Sequence, residues 1–486
     1  MSNHHQVVII GSGFAGIVAG IRLKQIGFND FIMLERADQM GGTWQQNHYP
    51  GAAVDVVSIL YSLSFEQWDW SRSFAKQLEI LEYTNHVIDK HGLRERCTCG
   101  ADVQELRWDE EQKIWHIKTK EKGDYTAQYI INAIGHLSQP MMPDIKGKED
   151  FKGAYFHTAR WNHDYDYKGK RVALIGTGAS TIQVGPALAP DVKELHVMQR
   201  TPSWVMPRHD HEFTPAQRKI RAIPFINRFL RNFTYLKQES RVLAFKYFPA
   251  IMKNIIQREA LHHIEKSVDS KDLVAKLTPD YTIGCKRILM SNDYYPMFNR
   301  DNVVLQDDGI DCINETGIKT KSGKQIDVDL IVYATGFYAF TNEKAVPFEV
   351  IGREGKTLKQ IWGDTPHAFL GMTIPYLPNL FTMNGPNTGI GHTSAVFMIE
   401  SQINHIVDAF KKIKANNWQS VEVKETAETD YNQFIQKTTQ GSVWNAGGCQ
   451  SWYLTPEGVN TSIYPTFTID FHKKTKYFNE QDYLLK

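Results

Sequence analysis

The stretch Val7-Val8-Ile9-Ile10-Gly11-Ser12-Gly13-Phe14-Ala15-Gly16 decides the fold. Four apolar residues in unbroken succession fit a parallel strand buried on both faces. Three glycines follow at the spacing G-x-G-x-x-G, and a helical pattern continues through Gln25. Gly11 permits a tight turn, Gly13 lets the backbone approach a pyrophosphate, and Gly16 lets the helix lie close on the strand. The helix start offers unpaired N–H groups and a partial positive charge to a phosphate. A second strand, Phe31–Leu34, runs into Glu35, an acid placed to accept hydrogen bonds from ribose hydroxyls. Strand, glycines, helix, strand and terminal acid in this order predict a dinucleotide cradle.

The unit recurs. Lys170-Arg171 opens the strand Val172–Ile175; Gly176, Gly178 and Thr181 follow, with Ser180 and Gln183 at the new helix. Thr181 replaces the third glycine but leaves the two phosphate-facing glycines intact. The next strand, Leu195–Met198, ends in Gln199-Arg200-Thr201 with no acid. An acid there would hold a free ribose 2′-hydroxyl; an arginine suits a 2′-phosphate. Arg200 and Thr201 are therefore the expected phosphate contacts, and the second cradle is expected to take NADPH. The predicted fold class is α/β, with two Rossmann-like dinucleotide-binding domains. Two dinucleotides in one chain imply electron transfer between them.

A chain of 486 residues needs two or three domains. A net charge of +1 gives no global pull toward nucleic acid. The cysteines at 97, 99, 285, 312 and 449 show no spacing of a disulfide framework, redox pair or zinc site. They are expected to be structural or incidental, as in a reducing compartment, with no metal site. Residues 1–6 carry no signal-peptide pattern and no apolar run is long enough to span a bilayer, so a cytoplasmic location is expected.

Ile130–Gly135 and Asp329–Gly336 are apolar strands ending in glycine, where the chain is expected to cross between domains. The predicted order is an FAD-binding part over 1–139, an NADP-binding part over 140–208, a helical insertion over 209–282, the second NADP part over 283–336 and the second FAD part over 337–486. In the insertion, Pro215, Pro224 and Pro249 punctuate helical periodicity. Ten Lys/Arg and one acid, Glu239, lie between Ala216 and Arg258. Apolar Ile220, Ile223, Phe225, Ile226, Phe229, Leu230 and Phe233 interleave with them. The first expectation is an apolar face packed inward and a basic face in solvent; the second is a weak contact of 216–258 with an anionic membrane surface.

Between the two cradles, Phe151–Asn162 reads F-x-G-x-x-x-H-x-x-x-W, carried by Phe151, Gly153, His157 and Trp161. This resembles the fingerprint of type I Baeyer–Villiger monooxygenases. Asn162 departs from it, since Pro or Asp usually follows the tryptophan there. The run Gly41–Asp55, GGTWQQNHYPGAAVD, resembles the FAD-domain signature of the same class B flavin monooxygenases. The resemblance implies that Gly42, Thr43, Trp44, Asp55, Tyr61 and Val103 border FAD, and that the loop Asn384–Gly389 brings Asn387 near the flavin. It also implies that Lys286 assists Arg200, and that Cys449–Tyr453 is a mobile segment closing Trp452 over NADP.

The segment Gly284-Cys285-Lys286-Arg287, followed by Asp293–Asn302, is similar to the family's active-site arginine region. The implied reaction uses NADPH and dioxygen to form a flavin peroxide, which attacks a ketone to give an ester or lactone. Arg287 would stabilise the peroxide, and Asp55 would orient Arg287. An arginine at about 4 Å and an effective dielectric of about 20 is worth roughly 4 kcal/mol, about a thousandfold in rate if realised wholly in the transition state. His157 is a general base by residue type, but its place in a linker favours a positioning role.

Three other readings compete. Flavin-containing monooxygenases share both cradles and oxygenate sulfides or amines; Trp161 and the Arg287 segment favour ketones. A disulfide reductase needs a cysteine pair facing the flavin, and nothing after Gly42 supplies one. An FAD-binding scaffold without turnover is at odds with the intact cofactor positions.

Overall fold

The computed structural model describes residues 3–339 and 343–486. The expected apolar run forms the strand His4–Ile10, whose last four residues are fully buried. It pairs in parallel with Phe31–Glu35 and with Tyr125–Asn132. These belong to an eight-stranded sheet completed by Cys97–Cys99, Val103–Asp109, Ile114–Thr119, Glu349–Ile351 and Leu380–Thr382. One face packs on the helices Phe14–Gln25, Gln77–Lys90 and Ala395–Asn416. The other is closed by a second core that includes Trp108, Trp115 and Trp362.

The second sheet is all parallel, in the order Val303–Gln306, Glu194–Met198, Arg171–Ile175, Leu330–Tyr333, Ala154–His157. Every residue of Leu330–Tyr333 is buried, as a central parallel strand requires. An antiparallel trio, Ile310–Asn314, Gly317–Thr320 and Gln325–Asp327, covers one face. The helix Thr181–Leu188 and residues of the 209–282 region pack into the core on the other. Tyr125–Asn132 in the first sheet and Leu330–Tyr333 in the second each lead to a left-handed glycine, Gly135 (φ +72°) and Gly336 (φ +84°). The two chain crossings meet in an antiparallel bridge between Pro140 and Phe337.

The fingerprint segment is itself part of a sheet. Ala154–His157 is the edge strand of the second sheet, with Tyr333 opposite His157. A Cβ on Gly153 would lie 2.4 Å from the Phe151 ring and 2.7 Å from the Asp329 carbonyl, so only glycine fits. Phe151 and Trp161 are buried, and Trp161 packs edge-on against Phe156 at 4.8 Å. These residues are packing, with no part in the large cavity described below.

Two expectations need correction. Cys285 and Cys449, 164 residues apart, form a disulfide, while Cys97, Cys99 and Cys312 are free. A pairing made only by tertiary approach leaves no spacing to read. In the helical region, Pro215 and Pro224 open the helices Pro215–Arg221 and Pro224–Glu239, where their missing N–H costs nothing. Five of the seven apolar residues do not pack inward as expected, however, while Ile226 and Leu230 are half-buried. Ile220, Ile223, Phe225, Phe229 and Phe233 are exposed, while Arg231, Tyr235 and Glu239 face the protein. Apolar periodicity alone does not say which face meets the core. Among the described residues no helix is long and apolar enough to cross a membrane.

Candidate functional site

A cavity of about 1070 Å³ runs between the two sheets and takes in both glycine turns. Its first lobe holds Gly11, Gly13, Glu35, Gly42, Thr43, Trp44, Asp55, Tyr61 and Val103; its second holds Gly176, Gly178, Ser180, Gln183, Arg200, Thr201 and Lys286. Arg287 and Trp452 also line it. Most residues singled out in the sequence therefore share one space.

The first lobe is shaped for a dinucleotide. Gly11 sits at φ +100°, and a Cβ there would meet the Ala133 carbonyl at 2.7 Å. Gly16 is the packing glycine, with its Cβ position 2.0 Å from the Gly11 carbonyl, and it does not line the cavity. Glu35 is buried at the end of its strand. The Ser12 backbone N–H (2.9 Å) and hydroxyl (2.7 Å) both donate to its Oε2, and the Ala37 N–H to its Oε1 (2.9 Å). The carboxylate is thus fixed in direction before any ribose arrives.

The second lobe collects positive charge. The Lys286 ammonium lies 4.9 Å from the centre of the Tyr281 ring. Burial lowers its pKa, and the nearby Arg200 lowers it further. Two cations that repel each other beside a glycine turn suit a bound anion. The Thr177 hydroxyl donates to the Thr201 carbonyl at 2.8 Å, tying the turn to the Arg200 loop. The Cβ position of Gly178 faces open space, which leaves a phosphate room to approach.

Three predicted cofactor residues are placed differently. Thr181 is fully buried beneath Gly176 rather than in the cavity. Gln183 lines the cavity but spends its amide as a clasp between lobes, accepting from the Tyr49 hydroxyl (2.8 Å) and donating to the Ala53 carbonyl (2.9 Å). Asn387 lies behind the cavity wall and donates to the Asn460 carbonyl at 2.8 Å; its neighbours Asn384, Thr388 and Gly389 line the wall instead.

Where the lobes meet, Arg287 donates from Nε and from Nη2 to Asp55 Oδ2, both at 2.7 Å. The side chains are 36% and 29% exposed, open to the cavity rather than sealed in protein. Asp55 raises the arginine's pKa further. Burial pushes the Tyr61 and Tyr453 hydroxyls nearby up to about 12, so both remain protonated. The Trp44 indole donates to the Tyr61 oxygen at 3.1 Å. His136, missed in the sequence, also lines the cavity; burial and the Arg287 charge push it down to about 4, so its imidazole is neutral.

His157 is not poised as a base. It is 4% exposed, and burial lowers its pKa to about 4. Its Nδ1 accepts the Ala159 N–H, capping the turn that follows the edge strand. The apolar wall was also missed: Ala395, Val396 and Ile399 at the start of helix Ala395–Asn416, with Val56, Ile390 and Ile463. Ser394, which caps that helix by accepting the Val396 N–H, was the readable signal for it.

Trp452 is 39% exposed on the rim of the cavity. The disulfide fastens its segment to the residue two before Arg287. Neither cysteine lines the cavity, so this pair is not the flavin-facing pair of a disulfide reductase.

This arrangement has clear relatives. Residues 8–222 match the family described as pyridine nucleotide-disulphide oxidoreductase. Over its whole length the chain is 43% identical to a Baeyer-Villiger monooxygenase of Pseudomonas aeruginosa, covering 92% of that protein. The chain belongs to the Baeyer–Villiger monooxygenases. Among solved structures it is similar to an oxidized steroid monooxygenase bound to NADP, with 31% identity, TM-score 0.87 and 99% of each chain covered. It is also similar to the OTEMO complex with FAD and NADP, with 27% identity, TM-score 0.89 and 100% of each chain covered. As a Baeyer–Villiger monooxygenase, the chain keeps the family's two-cradle α/β architecture.

Proposed function

We propose that the protein is an FAD- and NADPH-dependent monooxygenase that inserts one atom of dioxygen into a ketone, giving an ester or lactone. The observation that carries this is the Arg287–Asp55 pair, 2.7 Å apart, exposed to the cavity where the two lobes join. In this reading Gly11, Gly13, Glu35, Gly42, Thr43, Trp44, Tyr61 and Val103 hold FAD. Gly176, Gly178, Ser180, Arg200, Thr201 and Lys286 hold NADPH, and Trp452 closes on it. FAD, reduced by NADPH, supplies the activation of dioxygen.

The chain's own residues do the rest. Asp55 fixes the guanidinium through a charge-assisted pair. Arg287 keeps its positive charge at any working pH. It thereby stabilises negative charge both on the attacking oxygen and on the ketone oxygen as it is attacked. Fixed charge aimed at a developing oxyanion is worth about a hundredfold to a thousandfold in rate. Val56, Ile390, Val396 and Ile399 seat the carbon skeleton and exclude water from the reacting atoms.

The test is a panel of linear, cyclic and aryl ketones, with sulfides alongside, given NADPH and isotopically heavy dioxygen. Esters carrying one heavy oxygen are expected. Oxygenation of sulfides alone would replace this reading with heteroatom chemistry.

A further inference from the structure

The helix Pro224–Glu239 is turned the wrong way round for a surface helix. Phe225 is 79% exposed, Leu236 65%, and Phe229 and Phe233 59% each. At about 100° per residue these four fall within an arc of about 80°, with Arg228 on one flank and Lys237 on the other. Outside the stripe the helix is firmly held. Arg231 donates to the Ser62 carbonyl at 2.9 Å and its hydroxyl at 3.1 Å. Tyr235 stacks on Phe397 at 4.7 Å. Glu239 accepts from the Thr468 hydroxyl at 2.7 Å and the Ile469 N–H at 3.0 Å. These anchors fix the helix in rotation, so the phenylalanines cannot turn inward without breaking them. Ile220, Ile223, Tyr247, Phe248 and Ile255 of the same insertion are exposed as well.

We propose that this face docks on an anionic lipid bilayer. An occupant must take several large apolar side chains and carry negative charge. The single acid between Ala216 and Arg258, Glu239, is buried and already bonded, and of the ten Lys/Arg there Arg231 is turned inward and Arg218 is paired with Asp69, while Arg228 and Lys237 flank the stripe. A second copy of the chain does not meet both needs, because a two-fold contact would set Arg228 and Lys237 against like charges. An anionic bilayer does: the aromatic stripe enters the boundary below the headgroups, and the flanking cations remain among the phosphates. The anchored side leads straight to the cavity. Arg231 holds the loop containing Tyr61, and Phe397 lies between the wall residues Val396 and Ile399. Docking therefore brings the apolar wall of the site close to the lipid.

The FAD-loaded full chain is floated with phosphatidylcholine vesicles and with phosphatidylcholine–phosphatidylglycerol vesicles, at low and at high salt. Binding to the anionic vesicles is expected, weakened by salt and absent with phosphatidylcholine alone. Replacing Phe225, Phe229 and Phe233 together by Glu should abolish it. Arg228→Gln and Lys237→Gln should each weaken it about fivefold. Flavin content and NADPH oxidation, measured on every variant, confirm that it is folded. No binding to anionic vesicles at low salt overturns the proposal, as does equal binding to both vesicle types. Self-association in sedimentation that the triple variant removes, without vesicle binding, assigns the face to a second copy instead.

Discussion

At the residue scale, charge placement explains more than charge number. Arg200 and Lys286 crowd one end of the cavity, and the repulsion between them lowers the lysine's pKa beyond what burial does. A 2′-phosphate would relieve that repulsion, whereas a 2′-hydroxyl would not. Arg200→Gln is expected to raise KM for NADPH about tenfold to a hundredfold, the loss of one or two charge-assisted hydrogen bonds. KM for NADH should hardly change. Steady-state kinetics with both cofactors checks this, and an equal change in both would move the phosphate contact elsewhere. At Gln183 and Asn387 the structure adds partners that residue type does not reveal. Both are polar and stand beside phosphate-binding or flavin-approaching patterns, yet their amides bind the protein's own backbone. Local sequence gives an amide's chemistry but not its partner when that partner is 130 residues away.

At the element scale, Phe151–Asn162 acquires a physical meaning. The segment became recognisable because packing fixes it: Gly153 has no room for a side chain, Trp161 is buried, and His157 caps a turn. Such constraints are local in sequence and therefore legible there. The disulfide is the opposite case. Cys285 and Cys449 come from distant segments, and their union joins the Arg287 loop to the Trp452 segment. A cross-link over so long a loop stabilises by typically about 2–4 kcal/mol, mainly through the unfolded chain. Thiol titration of the denatured protein, prepared without reductant, is expected to count Cys97, Cys99 and Cys312 only. After reduction all five should react. Five reactive thiols before reduction would mean that the Trp452 segment is tethered by packing alone.

At the scale of the whole molecule, the two nucleotide units were legible because each compresses strand, turn and helix into adjacent residues. The orientation of the helical insertion was not, since it depends on Ser62, Phe397 and Thr468 from other parts of the chain. Buried histidines also act on the molecule as a whole. Burial holds His136, His157 and His405 near 4, against an ordinary 6.5. The unfolded chain therefore takes up protons as pH falls through about 6.5, while the folded protein does not until about 4. Stability is complete above the upper value and declines below it, by up to about 1.4 kcal/mol per pH unit for each such histidine. Burial lowers His48, His196 and His472 as well, in the same sense. His367, raised on balance because its bonds to Glu428 outweigh its burial, acts in the opposite sense, one against six. Denaturant midpoints should fall between about pH 7 and pH 5; a flat profile would contradict the burial of these rings.

All of these features serve one claim, that a fixed cation between two nucleotide lobes directs oxygen onto a ketone. The most direct measurement is ester formation by Arg287→Ala beside the parent enzyme, with flavin content and bleaching by NADPH recorded on both. The variant should hold FAD, bleach with NADPH and consume it, while its ester yield falls at least about a hundredfold. Ester formation at the parent rate would contradict the account.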